Sequence, residues 1–268
     1  MTAFFRSAGS AWRAAIAALI VIAASTAAYA MRVSPMVVEM ETRGSNAVAR
    51  IEVQNLNPGN LAYETRITRM QFDENGNVTE TPADEEFLVF PPQGVLPTNG
   101  RQVIRLQWVG PAEIPASQAY YVSVNQLPVA LEPGAPENLG AQVQIVYHMK
   151  ALVIVAPPGA TPNVETASAR AIDYQPPPPP DGSATPPAGP GVEIRLRNTG
   201  RRHALMSVYG WRIEGMGLDG QPLRLDVSPD ELNRAIGTGY VPALGERTFR
   251  FPVSYGFGPQ PIRVSFTQ

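Results

Sequence analysis

The side chains able to do chemistry are few and scattered. The sequence holds two histidines, His148 and His203, and no cysteine. Lys150 is its only lysine. A structural zinc site asks for four nitrogen or sulfur ligands at set spacings, and two isolated histidines do not supply them. Without a thiol there is neither thiolate chemistry nor a disulfide, so stability must come from packing. No glycine-rich phosphate loop follows a strand, and no G-x-S-x-G elbow presents a serine. The acids Asp84-Glu85-Glu86 stand beside a turn, where solvation accounts for them. The residues argue against an enzyme and against a metal or other cofactor. What remains is binding chemistry, and it concentrates in residues 141–158, AQVQIVYHMKALVIVAPP.

In that stretch Val143, Ile145, Tyr147 and Met149 alternate with Gln144, Val146 and His148, and an unbroken apolar run fills 151–156. A period of two is the signature of a strand with one apolar face. Offered to a partner and fully buried, each of the four side chains would contribute about 1.5–3 kcal/mol. Turned inward, they would be the chain's own core, and periodicity alone leaves both open. His148 alternates with the apolar set and is expected on the opposite face. His203 follows the turn-like Asn198-Thr199-Gly200-Arg201-Arg202 and is expected to be exposed.

The elements that must position this strand are themselves strands. Short β-type runs recur at 33–41, 47–55, 62–71, 87–90, 102–109, 119–126 and 143–155, separated by Gly, Pro, Asn and Asp. Asn75-Gly76 is a tight-turn signal, since both residues tolerate positive φ. About seven strands in about 125 residues is the arithmetic of an immunoglobulin-like sandwich, with a barrel as the alternative. Residues 157–163 read as a linker. Further runs at 164–174, 192–198, 205–211, 224–227, 247–252 and 262–266 make a smaller β domain over 164–268. Its segment 175–191, QPPPPPDGSATPPAGPG, is expected to be a solvated, extended loop. No long segment shows helical period.

Residues 1–30 stand apart. Arg6 and Arg13, a short apolar run and the small-x-small site Ala28-Tyr29-Ala30 describe a secretory signal peptide cleaved near Ala30. The 21 basic residues include those two arginines, so cleavage leaves 19 against 23 acids, a net of about −4. That mild acidity argues against nucleic-acid binding. The apolar run is about half of the roughly 20 residues a membrane span needs, so no membrane insertion is expected after cleavage.

Three features together resemble the periplasmic chaperones of chaperone–usher pilus assembly. They are Tyr120-Tyr121-Val122-Ser123-Val124-Asn125-Gln126-Leu127-Pro128, the alternating strand after it, and Val192-Glu193-Ile194-Arg195-Leu196-Arg197-Asn198-Thr199-Gly200. Ser34-Pro35 and Val53-Gln54-Asn55-Leu56-Asn57 add support. The resemblance implies two immunoglobulin-like domains in an L, with the first at 31–156. It implies that Val143, Ile145, Tyr147 and Met149 lie on a strand lent to incomplete pilus subunits, with delivery to an outer-membrane usher. Self-association through the same strand is a further implied behaviour. Family members usually anchor the subunit's terminal carboxylate with an arginine on the first strand and a lysine on the last. Here those positions hold Val37 or Val38 and Leu152, as in the divergent archaic or alternative branch. Lys150, about 7 Å earlier along the strand, and Arg105 are the substitute candidates. The alternative reading is an exported structural or adhesive surface protein.

Overall fold

The computed structural model describes residues 31–128 and 145–267. The first domain is two facing sheets. One has the order β1-β3-β8-β6, from β1 (Met31–Ser34), β3 (Val48–Asn55), β8 (Arg101–Trp108) and β6 (Phe87–Phe90). The other has the order β2-β10-β9-β4-β5, from β2 (Val37–Glu41), β10 (His148–Ala156), β9 (Gln118–Leu127), β4 (Leu61–Phe72) and β5 (Val78–Pro82). β7 (Gln93–Leu96) also pairs with β4. Alternation along the strands places Ile51, Val53, Ile104, Leu106, Tyr63, Ile67, Val122, Val124, Val153 and Val155 in one buried core between the sheets. Phe87, Trp108 and Tyr120 meet edge to face within it.

The run expected at 33–41 is two strands, not one. The chain leaves β1 at Ser34-Pro35 and reappears in the opposite sheet as β2. β1 runs antiparallel to β3, and β2 runs parallel to β10. β5 and β7 were not legible as strands. β5 is exposed at every residue and carries no apolar alternation, and β7 is four residues after two prolines.

The second domain has its own core. One sheet is β11 (Val164–Tyr174), β12 (Gly189–Asn198) and β17 (Gly245–Pro252); another is β15 (Pro222–Val227), β14 (Gly210–Met216) and β18 (Arg263–Thr267). A short pair, β13 (Ala204–Leu205) and β16 (Tyr240–Val241), completes it. Trp211 sits between them, edge-on to Phe249, Phe251 and Phe266, with its indole N–H donating to the Met206 carbonyl. The proline-rich segment joins β11 to β12, and residues 175–188 hold no strand.

One helix, α1 (Pro229–Ile236), departs from the all-strand reading. Its start is written in the sequence. Ser228 accepts from the Glu231 amide while the Glu231 carboxylate accepts from Ser228, a reciprocal capping box, and Pro229 stands in the first turn. Eight residues are too few to show a period.

The two motif asparagines that supported the resemblance act structurally. The buried Asn55 amide donates to the carbonyls of Gly59, Leu96 and Pro97. Buried Asn198 accepts from the amides of Asn163 and Gly200 and donates to the Arg202 carbonyl.

Candidate functional site

The strand singled out from sequence, β10, is held in two different ways along its length. From Leu152 to Ala156 it pairs with β2 on one side and, as far as Val155, with β9 on the other. Both faces of this half are covered. Ala151, Val153 and Val155 enter the first domain's core. Leu152 and Ile154 enter a second cluster with Met70, Ala119 and Tyr240, the last from the other domain. Residues 151–156 are buried throughout.

From His148 to Ala151 the strand pairs, among the described residues, only with β9. The Leu152 amide donates to the Met36 carbonyl, and there the ladder to β2 ends. Main-chain groups alternate in direction along a strand. Since Leu152 points its amide toward β2, Lys150 and His148 point theirs the same way, where no strand stands among the described residues. Tyr147 points the other way, and its carbonyl accepts from the Gln126 amide on β9. This half of β10 is an open edge.

Of the four alternating residues, Val143 lies outside the described residues. Ile145 is 64% exposed. Tyr147 and Met149 are half-buried against the rim of the first domain's core. Ile145, Tyr147 and Met149 share parity with Ala151 and Val153, so a partner pairing at this edge would continue the same apolar layer. The described strand begins at His148, so Ile145 and Tyr147 precede it in extended chain.

Lys150 lies on the opposite face from Met149, two residues before Leu152. Its ammonium donates to Glu80 Oε1 at 2.7 Å and stands 5.1 Å from the centre of the Tyr121 ring. Glu80 comes from β5, three strands away. It also accepts from Thr68 Oγ1 at 2.7 Å. The Lys150 hydrogen bond, and then that of Thr68, holds the Glu80 carboxyl below its usual range. Ser123 and Arg66 continue the Lys150 row across β9 and β4. Neither Glu80 nor Ser123 was legible as a site residue, because their proximity follows from cross-strand register alone.

Arg105 does not join Lys150. It lies on the outward face of β8, in the other sheet, directly opposite Arg50 on β3 and Phe90 on β6. The two candidate anchors therefore lie in different sheets, with the sandwich core between them.

His203 is a correction to the expected exposure. It is 3% exposed, at the junction between the domains. Its ring stacks on Tyr240 with centroids 5.7 Å apart, and its Nε2 is 3.6 Å from Glu39 Oε1. Its amide donates to Ser117 Oγ of the first domain. The turn before it keeps Thr199 and Arg201 exposed, yet it packs against that domain. Arg201 donates to the carbonyls of Ile114 and Pro115, and Arg202 pairs with Glu39. Burial is the main cause that lowers the His203 pKa to about 4, with Glu39 opposing and Arg202 adding. The ring is neutral at pH 7. At the other end of the junction, the turn after β4 meets the second domain. The Glu74 carbonyl accepts from the Thr248 amide, and the Glu74 carboxylate pairs with Arg195 at 2.8 Å.

Among the described residues no group of three or more His, Asp or Glu is placed to hold a metal ion. No helix among them is long and apolar enough to cross a membrane.

No protein-family model matches the chain, and no curated protein matches its sequence. Solved structures do match. The class 5 fimbriae chaperone CfaA aligns at 10% identity over 89% of this chain and 99% of its own, with a TM-score of 0.51. A chain from a chaperone–tip adhesin complex of CFA/I fimbriae biogenesis aligns at 9% identity over 89% and 98%, with a TM-score of 0.50. The chain has the two-domain β-sandwich fold of fimbrial chaperones.

Proposed function

We propose that this chain is a periplasmic chaperone that binds, folds and caps fimbrial subunits by lending them the first half of β10, and passes them to an outer-membrane usher. The observation that carries the reading is the open edge at His148 and Lys150. An unpaired edge beside exposed apolar side chains is a template for strand addition. An incomplete sandwich would take main-chain hydrogen bonds from this edge and cover Ile145, Tyr147 and Met149. Val143 would extend the same set. The shared fold with fimbrial chaperones supports the subunit as the partner. Export would be directed by residues 1–30, with cleavage near Ala30, and no catalysis is involved.

The carboxylate anchor is assigned to Lys150. Glu80 holds that ammonium in the free protein, and an incoming terminal carboxylate would take its place. Without a subunit, two open edges would pair with each other, so the free protein would self-associate.

Co-expression with a candidate subunit tests the reading. A one-to-one complex should form, and Ile145→Asp with Tyr147→Asp should abolish it while the free protein stays folded. Binding unaffected by that double change would sink the lent-strand assignment. For the anchor, Lys150→Ala should lower subunit yield and Arg105→Ala should not.

A further inference from the structure

The outward face of the other sheet carries a feature that the lent strand does not use. Arg50 and Arg105 face each other in register across β3 and β8. Both are exposed, and neither has an ion-pair partner among the described residues. Directly opposed like charges destabilise a strand pair. Elsewhere on this face the charge is answered, as where Arg101 stands 3.7 Å from Glu52. The next position in the Arg50–Arg105 row is Phe90, 70% exposed on β6. Leu88, two residues away on the same face, is 57% exposed, and Val103 beside Arg105 on β8 is 45% exposed. β6 is the last strand of its sheet and pairs only with β8.

We infer that this face is a docking site for an extended acidic segment of a partner polypeptide. A carboxylate placed between the two guanidinium groups would accept from both and relieve their repulsion. A neighbouring apolar side chain of the segment would cover Phe90 and Leu88, and its main chain would add to the free edge of β6. The dimensions favour a polypeptide over an anionic bilayer. The free cations of this row are two, Glu52 interrupts the surface beside them, and an open strand edge has no use for lipid. The site is separate from β10, on the opposite side of the first domain.

The test uses the full mature chain carrying Ile145→Asp and Tyr147→Asp, so that a peptide cannot bind at β10. The probe is a fluorescent six-residue peptide alternating Glu with Val or Phe, and its affinity is read by anisotropy. The same peptide with Gln for Glu should bind at least tenfold more weakly. Arg50→Glu or Arg105→Glu should each lower affinity tenfold or more, and Phe90→Ser should lower it less. The double reversal should instead take the peptide with Lys for Glu. Arg50→Gln should lower affinity less than the reversal does and leave the melting temperature unchanged or raised. Equal binding of the Glu and Gln peptides, or indifference to both arginines, would overturn the proposal. So would a lower melting temperature in Arg50→Gln, which would make the pair structural. Arginine-dependent binding to phosphatidylglycerol vesicles without binding to the peptide would overturn it in favour of a membrane.

Discussion

The two halves of β10 share a strand and a partner, β9, yet they differ in everything else. Leu152–Val155 is paired on both edges and buried on both faces. Among the described residues His148–Ala151 lacks the second edge, and its side chains Met149 and Lys150, with Tyr147 just before them, stay partly in solvent. Composition tracks this contrast. The doubly covered half needs apolar residues at every position, because both faces meet a core. The open half needs them only at every second position. One half fixes the strand in the fold, and the other can be offered without unfolding anything.

Several changes would break or sharpen this contrast. Ile154→Asp puts an unpaired charge where exposure is 0% and should cost about 4 kcal/mol or more, read by urea denaturation. Acid should act on the buried half through the junction. The unfolded imidazole of His203 takes up its proton near pH 6.5, while the folded one resists until about 4. Stability is therefore full above about 6.5 and falls as the pH drops toward 4, by about 3 kcal/mol. Glu39 acts in the same direction. Burial pushes it up, but the Arg202 hydrogen bond and the neighbouring charges hold it below its usual range. His203→Gln should flatten this limb.

The backbone should report the same difference. The Leu152 amide, bonded to Met36, should exchange with deuterium about a hundredfold more slowly than that of Lys150. Met149→Ala should cost about 1 kcal/mol, less than a fully buried residue, because the side chain is only half-covered. Smallest of all, Lys150→Ala should cost less than about 1 kcal/mol, since its side chain is 45% exposed. That cost is present above the ordinary carboxylate pKa of Glu80, near 4.5, and disappears as the pH falls through the lowered folded value.

Much of the fold was legible because sandwiches write themselves as alternation. β6 and β11 fall at the residues read from sequence, and β3, β4, β8 and β9 fall within a residue or two. The first strand was not divisible, since nothing in 33–41 says that Ser34-Pro35 carries the chain between sheets. α1 carried a legible cap, and the absence of a period hid it. The site was half-legible. The alternation picked out Ile145, Tyr147 and Met149, but which edge stood open required knowing where β2 begins. Lys150 was conspicuous as the only lysine, while its partner Glu80 lies 70 positions away in a strand with no apolar pattern. That Arg105 and Lys150 fall in different sheets was hidden for the same reason: the sheet to which a strand belongs is not written in its residues.

The crossing from β1 to β2 at Ser34-Pro35 has a further consequence. It acts as an adjustable stop. Where the chain changes sheets decides how many rungs of β10 are taken internally and how many stay vacant. Shift the crossing two residues toward the N-terminus, and Lys150 would gain a neighbour and the vacancy would shrink by a rung pair. Shift it the other way, and Leu152 would be released. The length of β10 left without a second neighbour among the described residues is thus set at the thirty-fifth residue, far in sequence from that strand.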